Sequence, residues 1–260
     1  MYMDPILFNV ESGVAFITMN RPDKLNSFNR VMALQLQNIL DQCAADESVR
    51  AIYLTGAGKG FCAGQDLAEV VDPEGPGMQR ILSEHYNPIV QRLRDIAKPV
   101  VAAVNGVAAG AGANIAFACD VVVSKSSASF IQAFSKIGLI PDSGGTYTLP
   151  RLIGFQRASA LMMLGDKVSA ADALQMGMLY KVFEDDAFEI ESKKIALQLA
   201  QMPTKALGYI KAALNASATN DISSQLALED ELQQKAAATA DFKEGVDAFL
   251  AKRAPQYKGQ

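Results

Sequence analysis

The sequence predicts an α/β fold, a β-rich core followed by a helical C-terminal part. Three observations predict it. Two glycine-rich stretches, Gly60-Phe-Cys-Ala-Gly-Gln-Asp66 and Asn105-Gly-Val-Ala-Ala-Gly-Ala-Gly-Ala-Asn114, each follow a short apolar run and lead into a helical pattern. The order strand, strand, helix recurs through the first half, with no repeat in the residues themselves. Beyond Gly154 the pattern turns mostly helical.

The chain opens on a hairpin, because apolar-rich runs 6–10 and 14–19 flank the turn signal Ser12-Gly13. A polar loop over 20–27 leads into a helix over about 29–45, where Val31, Leu34, Ile39, Leu40 and Cys43 fall near helical spacing. Run 51–55 reads as a buried strand entering the first glycine loop. Residues 70–80, rich in glycine and proline, form the most loop-like stretch and a candidate mobile lid. A helix then runs to about Ala97, and strand 100–104 delivers the second glycine loop. A short helix, strand 120–124 and an apolar run around Phe130 and Ile131 follow. Ser169 reads as a helix N-cap, run 179–183 as the last strand, and Pro203 as a break between helices. Residues 221–253 read as two amphipathic helices whose apolar face, with Val246, Phe249 and Leu250, calls for a partner. The expected division is a core over 1–200 that carries the active site and a helical region over 201–260 used for assembly.

Half of the residues are hydrophobic and 20% are charged, the balance of a soluble globular protein. A net charge of −4 without a lysine- or arginine-rich block speaks against nucleic acid. Cys43, Cys62 and Cys119 share no ligand spacing and His85 is the only histidine, so no metal is expected. With an odd cysteine count and no leader read at the start, the expected setting is a reducing cytoplasm. Residues 99–119 carry no charge and are long enough to cross a bilayer. Asn105, the glycines and Asn114 interrupt them, so strand, turn and helix are expected there and no membrane span.

Two bare backbones delivered by two strands can aim N–H donors at one point, as a developing oxyanion requires. The second loop also opens a helix, whose free N–H groups and positive dipole end add to the effect. The alternative use of such glycines is tight turns and close helix packing. Neither loop has the spacing of a phosphate loop or a dinucleotide fingerprint. A third motif, Ile137-Gly-Leu-Ile-Pro-Asp142-Ser-Gly-Gly-Thr146, sets Asp142 just before a helix. Asp142 is either an N-cap or a carboxylate desolvated by apolar neighbours into a general base. Asn114 either holds a buried loop or faces a ligand. Asp66 and Asp120 read as loop or strand-end anchors, and His85 as a packing or surface residue.

Phe61-Cys-Ala-Gly-Gln-Asp-Leu67, Asn105-Gly-Val-Ala-Ala-Gly-Ala-Gly112 and Gly138-Leu-Ile-Pro-Asp-Ser-Gly-Gly145 together resemble the three signatures of the crotonase (enoyl-CoA hydratase/isomerase) superfamily. The likeness runs almost end to end, from the early Asn20-Arg-Pro loop to the closing Glu244-Gly-Val helix. It implies a spiral of ββα turns with a helical C-terminal extension that builds homotrimers, commonly paired into hexamers. The implied substrate is an acyl-CoA thioester, with no cofactor beyond the coenzyme A that the substrate carries. The resemblance places the oxyanion donors at the backbone N–H groups of Gln65 and Ala111, whose side chains are immaterial to that role. It sets Ala63, Asp66, Leu67, Gly110, Asn114 and Phe134 along the substrate, Lys24 near the nucleotide phosphates, and Lys252 in reach of a neighbouring subunit's site.

Departures from the superfamily decide the expected chemistry. Its hydratases add water with two glutamates, which fall here at Asn114 and Phe134, so efficient hydration is not expected. Asp142 falls where certain isomerases of the superfamily keep an aspartate, as does a dehalogenase that also needs a tryptophan this chain lacks. Tyr86-Asn-Pro88 and the run from Ala133 to Asp142 resemble the branch that isomerises ring 1,2-epoxyphenylacetyl-CoA to oxepin-CoA in phenylacetate degradation. The expected activity is that isomerisation, with Asp142 moving the proton, and the related shift of 3-enoyl-CoA to 2-enoyl-CoA. The rival expectations are a hydratase, an aspartate-nucleophile enzyme, or a non-catalytic acyl-CoA-binding partner of a separate enoyl-CoA hydratase. If Asp142 is only a cap, Glu84 and His85 are next in line as the base.

Overall fold

Ser12 and Gly13 take positive φ angles of 51° and 79°, the backbone hand of a two-residue hairpin turn. In the computed structural model, which describes residues 4–260, they join β1 (Ile6–Glu11) to β2 (Val14–Met19) in antiparallel register. After α1 (Arg30–Ala45), β3 (Ala51–Gly56) pairs parallel with β2 and turns at once into β4 (Gly60–Cys62). Helices α2 (Leu67–Val71), α3 (Gly77–Arg80) and α4 (Asn87–Asp95) follow, the last two joined by a π-helical turn over Ile81–Tyr86.

The unit then repeats. β5 (Val100–Val104), β6 (Val107–Ala109) and α5 (Ala111–Ala118) form one turn of the spiral. The next turn is β7 (Val121–Lys125), β8 (Ser129–Ile131) and, after a short 3-10 turn over Ala133–Ile137, α6 (Gly145–Ile153). Beyond α7 (Phe155–Leu164) come β9 (Lys167–Ser169), α8 (Ala170–Met176) and β10 (Lys181–Phe183). First strands of the units gather in a six-stranded sheet of order β1-β2-β3-β5-β7-β10. Second strands gather in a four-stranded sheet of order β4-β6-β8-β9. Two successive strands therefore serve two different sheets, which is the spiral of ββα turns. All five residues of β5 are buried, as expected of a parallel strand covered on both faces. One face packs on α1 and α4 through Leu36, Leu40, Ile52, Leu54 and Leu93, and the other on α9 (Phe188–Ala200).

The structure corrects some expectations and bears out others. In α1 the buried stripe is Met32, Leu36, Ile39, Leu40 and Cys43, while Val31 and Leu34 face out. Residues 70–80 are not structureless, since the end of α2, a turn closed on Asp72 and α3 fill them. The glycine stretches contain β4 and β6, and β9 is a strand the apolar pattern did not disclose. Run 99–119 divides into β5, β6 and α5, and among the described residues no helix is long and apolar enough to cross a membrane. Ser169 caps α8 by accepting the Asp172 N–H at 3.1 Å.

Pro203 separates α9 from α10 (Thr204–Ala216), and α11 (Ile222–Ala237) and α12 (Ala240–Leu250) complete the chain. Buried Lys211 ties α10 to the core, donating to the Asp120 carboxylate and to the Leu93 carbonyl at 2.8 and 2.6 Å. Asp120 also accepts the Val100 N–H at 2.8 Å, the strand-end anchor read from the sequence. Ile222 and Leu226 of α11 and Phe249 and Leu250 of α12 stand in solvent on the single chain.

Candidate active site

β4 and β6 pair in parallel, Gly60 opposite Val107 and Cys62 opposite Ala108, so both glycine loops leave the small sheet side by side. Close approach then needs glycine. At Gly64, where φ is +90°, a Cβ would stand 3.0 Å from the Ala109 carbonyl oxygen and 3.5 Å from the Ala111 nitrogen. At Gly112 it would stand 2.3 Å from the Cys62 carbonyl oxygen.

An isolated bridge to Phe28 orients the first loop. The Phe28 N–H donates to the Gly64 carbonyl at 2.7 Å, and the Asp66 N–H donates to the Phe28 carbonyl at 2.8 Å. In a planar trans peptide the Gln65 N–H points opposite to the Gly64 C=O, and therefore away from Phe28. Ala111 is the first residue of α5, whose N-cap Gly110 offers no side chain to its orphan donors. Among the described residues neither the Gln65 nor the Ala111 N–H has a hydrogen-bond partner.

Both donors line a cleft of about 410 Å³. Its wall also holds Ala63, Leu67, Gly110, Phe134 and Asp142, together with Val70, Met78, Ile81, Tyr86 and Leu139. Asp142 is the one carboxylate among these residues. Burial pushes its carboxyl above the ordinary aspartate range, partly opposed by the Ser143 hydroxyl, which donates to Oδ1 at 2.8 Å. Asp142 does not cap α6, because the N-cap is Gly144 and no side chain caps that end.

The Asp142 backbone is pinned from behind. Its carbonyl accepts the Gly145 N–H at 2.8 Å and the Asn114 Nδ2 at 2.9 Å, while Asn114 Oδ1 accepts Gln132 Nε2 at 2.8 Å. Asn114 is 1% exposed and lies outside the lining of the cleft, and both ends of its amide are spent on holding a buried loop. Gly145 makes room for it, since a Cβ there would stand 2.2 Å from Asn114 Nδ2.

Tyr86, read in the sequence only as part of the Tyr86-Asn-Pro88 motif and not as a site residue, enters the cleft from the π-helical turn. That turn leaves the Glu84 and His85 carbonyls to accept Gln37 Nε2 at 2.7 and 3.2 Å. The Tyr86 hydroxyl donates to Gln65 Oε1 at 2.8 Å, and burial raises its phenol well above the usual range. Gln65 Nε2 in turn donates to Glu69 Oε2 at 2.8 Å, so the Gln65 side chain is engaged on both ends. A tyrosine preceding Asn-Pro was the available signal, but its partner lies twenty-one residues away in sequence.

Glu84 and His85 are not in the wall. Hydrogen bonds from Arg80 and Arg30 hold the Glu84 carboxyl down to about 2. His85 is fully buried with Nε2 3.1 Å from an Arg30 nitrogen, and burial lowers its pKa. Asp66 caps α2 through the Ala68 N–H and pairs with Arg21 at 2.8 Å, an anchor outside the cleft. Lys24 is exposed on a 3-10 turn and Lys252 is exposed beyond α12, and neither lines the cleft.

The enoyl-CoA hydratase/isomerase family model matches residues 9–260. The chain is 49% identical over 261 residues to the 1,2-epoxyphenylacetyl-CoA isomerase of Escherichia coli K12, a match covering 99% of this chain and 100% of that one. It is 37% identical over 258 residues to the trans-2-decenoyl-[acyl-carrier-protein] isomerase of Streptococcus mutans, covering 98% of each. The fold overlays on the crystal structure of an enoyl-CoA hydratase from Bacillus anthracis with a TM-score of 0.92 at 32% identity, over 99% of this chain and 100% of that one. Since the family match takes in all three loops that build the cleft, the chain belongs to the crotonase (enoyl-CoA hydratase/isomerase) family.

Proposed function

We propose that the protein is an acyl-CoA isomerase that converts ring 1,2-epoxyphenylacetyl-CoA to oxepin-CoA, and shifts 3-enoyl-CoA to 2-enoyl-CoA by the same proton transfer. The observation that carries this is Asp142, the one carboxylate among the described residues of a mostly apolar cleft wall, which also holds two backbone donors without a partner among those residues. The thioester oxygen sits between the Gln65 and Ala111 N–H groups. Asp142 takes the α-proton, and its electron pair moves onto the thioester oxygen as an enolate. Each donor is worth about 3–4 kcal/mol to that charge. The ring C–C bond that the epoxide spans breaks as the ring expands to the seven-membered oxepin, the enolate pair forms a double bond from the α-carbon to the ring, and the displaced ring π pair takes the proton back from Asp142 at a ring carbon. No atom is gained or lost. Leu67, Phe134 and Leu139 offer apolar surface to a bulky acyl group, and Lys24 is the proposed phosphate contact.

Water addition needs a second acid or base facing the first. Asn114 and Phe134 supply neither, and the described wall holds no other carboxylate. The test is mass spectrometry of acyl-CoA panels with the purified protein, including crotonyl-CoA and a 3-enoyl-CoA side by side. Isomerisation without change of mass should outrun hydration, seen as the mass of one water added. Faster hydration of crotonyl-CoA overturns the assignment.

Assembly as a trimer or hexamer is part of the same proposal. Ile210, Leu214, Phe249 and Leu250 are each more than half exposed on α10 and α12, an apolar surface that the single chain leaves open. Lys252, at the end of α12, would then reach a neighbouring subunit's cleft. Light scattering should give a multiple of three times 27.8 kDa, and monomer alone at micromolar concentration would refute it.

A further inference from the structure

We propose that the Gln65 side chain, expected from the sequence to be immaterial, is a positioning residue for its own backbone N–H, acting as a strut between Tyr86 and Glu69. The role rests on the Gln65 N–H being an oxyanion donor. Oε1 accepts from the Tyr86 hydroxyl, Nε2 donates to Glu69 Oε2, and Glu69 Oε1 accepts the Arg30 backbone N–H, all at 2.8 Å. Four separate segments are thereby linked through the Gln65 and Glu69 side chains. Gln65 lies between β4 and α2, Glu69 on α2, Arg30 at the start of α1, and Tyr86 in the π-helical turn.

The donor peptide needs such a strut because Gly64 precedes it. With φ at +90° and no Cβ, Gly64 places little local restriction on the plane that carries the N–H. The Phe28 backbone holds that plane from one side. Tyr86 stands edge-on to the Phe28 ring, centroids 5.8 Å apart, and reaches the Gln65 side chain from the other. An oxyanion donor acts only when aimed at the oxygen of the transition state, so small displacements cost rate more than binding.

Gln65→Met keeps the length of the side chain but makes neither bond. Its turnover should fall by about 10-fold with KM changed by less than about 2-fold, while Tyr86→Phe loses about 5-fold. Tyr86→Phe removes one of the two bonds that Gln65→Met already lacks, so Gln65→Met/Tyr86→Phe should fall no further than Gln65→Met alone. Gln65→Glu sets a second carboxylate against Glu69. Adding Glu69→Gln exchanges carboxylate and amide, with the Tyr86 and Arg30 bonds kept, and turnover should recover relative to Gln65→Glu. Loss of packing alone gives no such recovery.

A spectroscopic reading separates this role from the oxyanion assignment beneath it. With carbonyl-13C phenylacetyl-CoA bound, the parent should show the thioester stretch at lower wavenumber than in water. In Gln65→Met the band should move back toward its solution value, with the unfolding midpoint near that of the parent. A parent without the downshift overturns the oxyanion assignment and the strut with it. A downshift kept in full by both Gln65→Met and Tyr86→Phe overturns the strut alone.

Discussion

Asp142→Asn is expected to lower isomerisation by at least about 100-fold, the low end for losing a positioned general base, with acyl-CoA affinity nearly unchanged. Asparagine keeps the shape, and its oxygen can still accept from the Ser143 hydroxyl. The bonds that hold this turn, from Gly145 and Asn114, go to the Asp142 backbone and survive the change. No helix cap is lost, because Gly144 occupies that position. What disappears is the ability to take a proton.

Stability should move the other way. The folded-state pKa of Asp142 is raised by burial, so the fold disfavours its ionised form. The stability contributed by this group is full below the ordinary aspartate range and is lost as pH rises through the raised folded value. At neutral pH Asp142→Asn should therefore unfold at a higher temperature than the parent, and the difference should shrink on acidification. In the parent the rate should rise as pH passes the same raised value, because the base must be ionised. Two measurements check this, deuterium uptake at the α-carbon of phenylacetyl-CoA in heavy water and thermal unfolding at two pH values. If Asp142→Asn exchanges and isomerises near the parent rate, the carboxylate is not the base.

Much of the spiral was legible because β3 and β5 are nearly unbroken apolar runs with glycine at their exits. The small sheet was harder to see. β4, β6, β8 and β9 have three residues each, too few for any period to show, and β4 and β6 lie inside glycine stretches that read as loops. Val31 and Leu34 misled because helical spacing fixes a stripe but not which neighbouring stripe the core selects. In the site, the motif around Asp142 was visible, but whether Asp142 caps α6 depends on two left-handed residues, Ser143 and Gly144, that carry the helix start past it. Asn114 was ambiguous for a related reason, since its role is set by Asp142 and Gln132, which only the fold brings to it. The Gln65–Tyr86 bond joins a loop to a helix distant in sequence, and no local pattern announces such a pair.

Ala111→Pro is expected to lower kcat by about 100- to 1000-fold, the loss typical of removing one oxyanion donor. Proline normally confounds such a test by breaking a hydrogen bond or a backbone conformation. Here both objections are weak. Ala111 is the first residue of α5, where proline's fixed φ suits the helix and its missing N–H serves no intrahelical bond. The residue before it is Gly110, at φ 52° and ψ −127°, near the mirror image of the extended region that residues before proline favour. Glycine reaches that region without strain and brings no Cβ toward the ring. The fold should survive, with an unfolding midpoint close to that of the parent. Ala111→Gly keeps the donor and should stay within a few-fold of parent activity. Affinity for free coenzyme A reads the integrity of the rest of the cleft, because free coenzyme A has no thioester oxygen to place in the hole, and it should be unchanged in both variants. If Ala111→Pro turns over near the parent rate, the second glycine loop is packing only, and the enolate charge must be held by other groups.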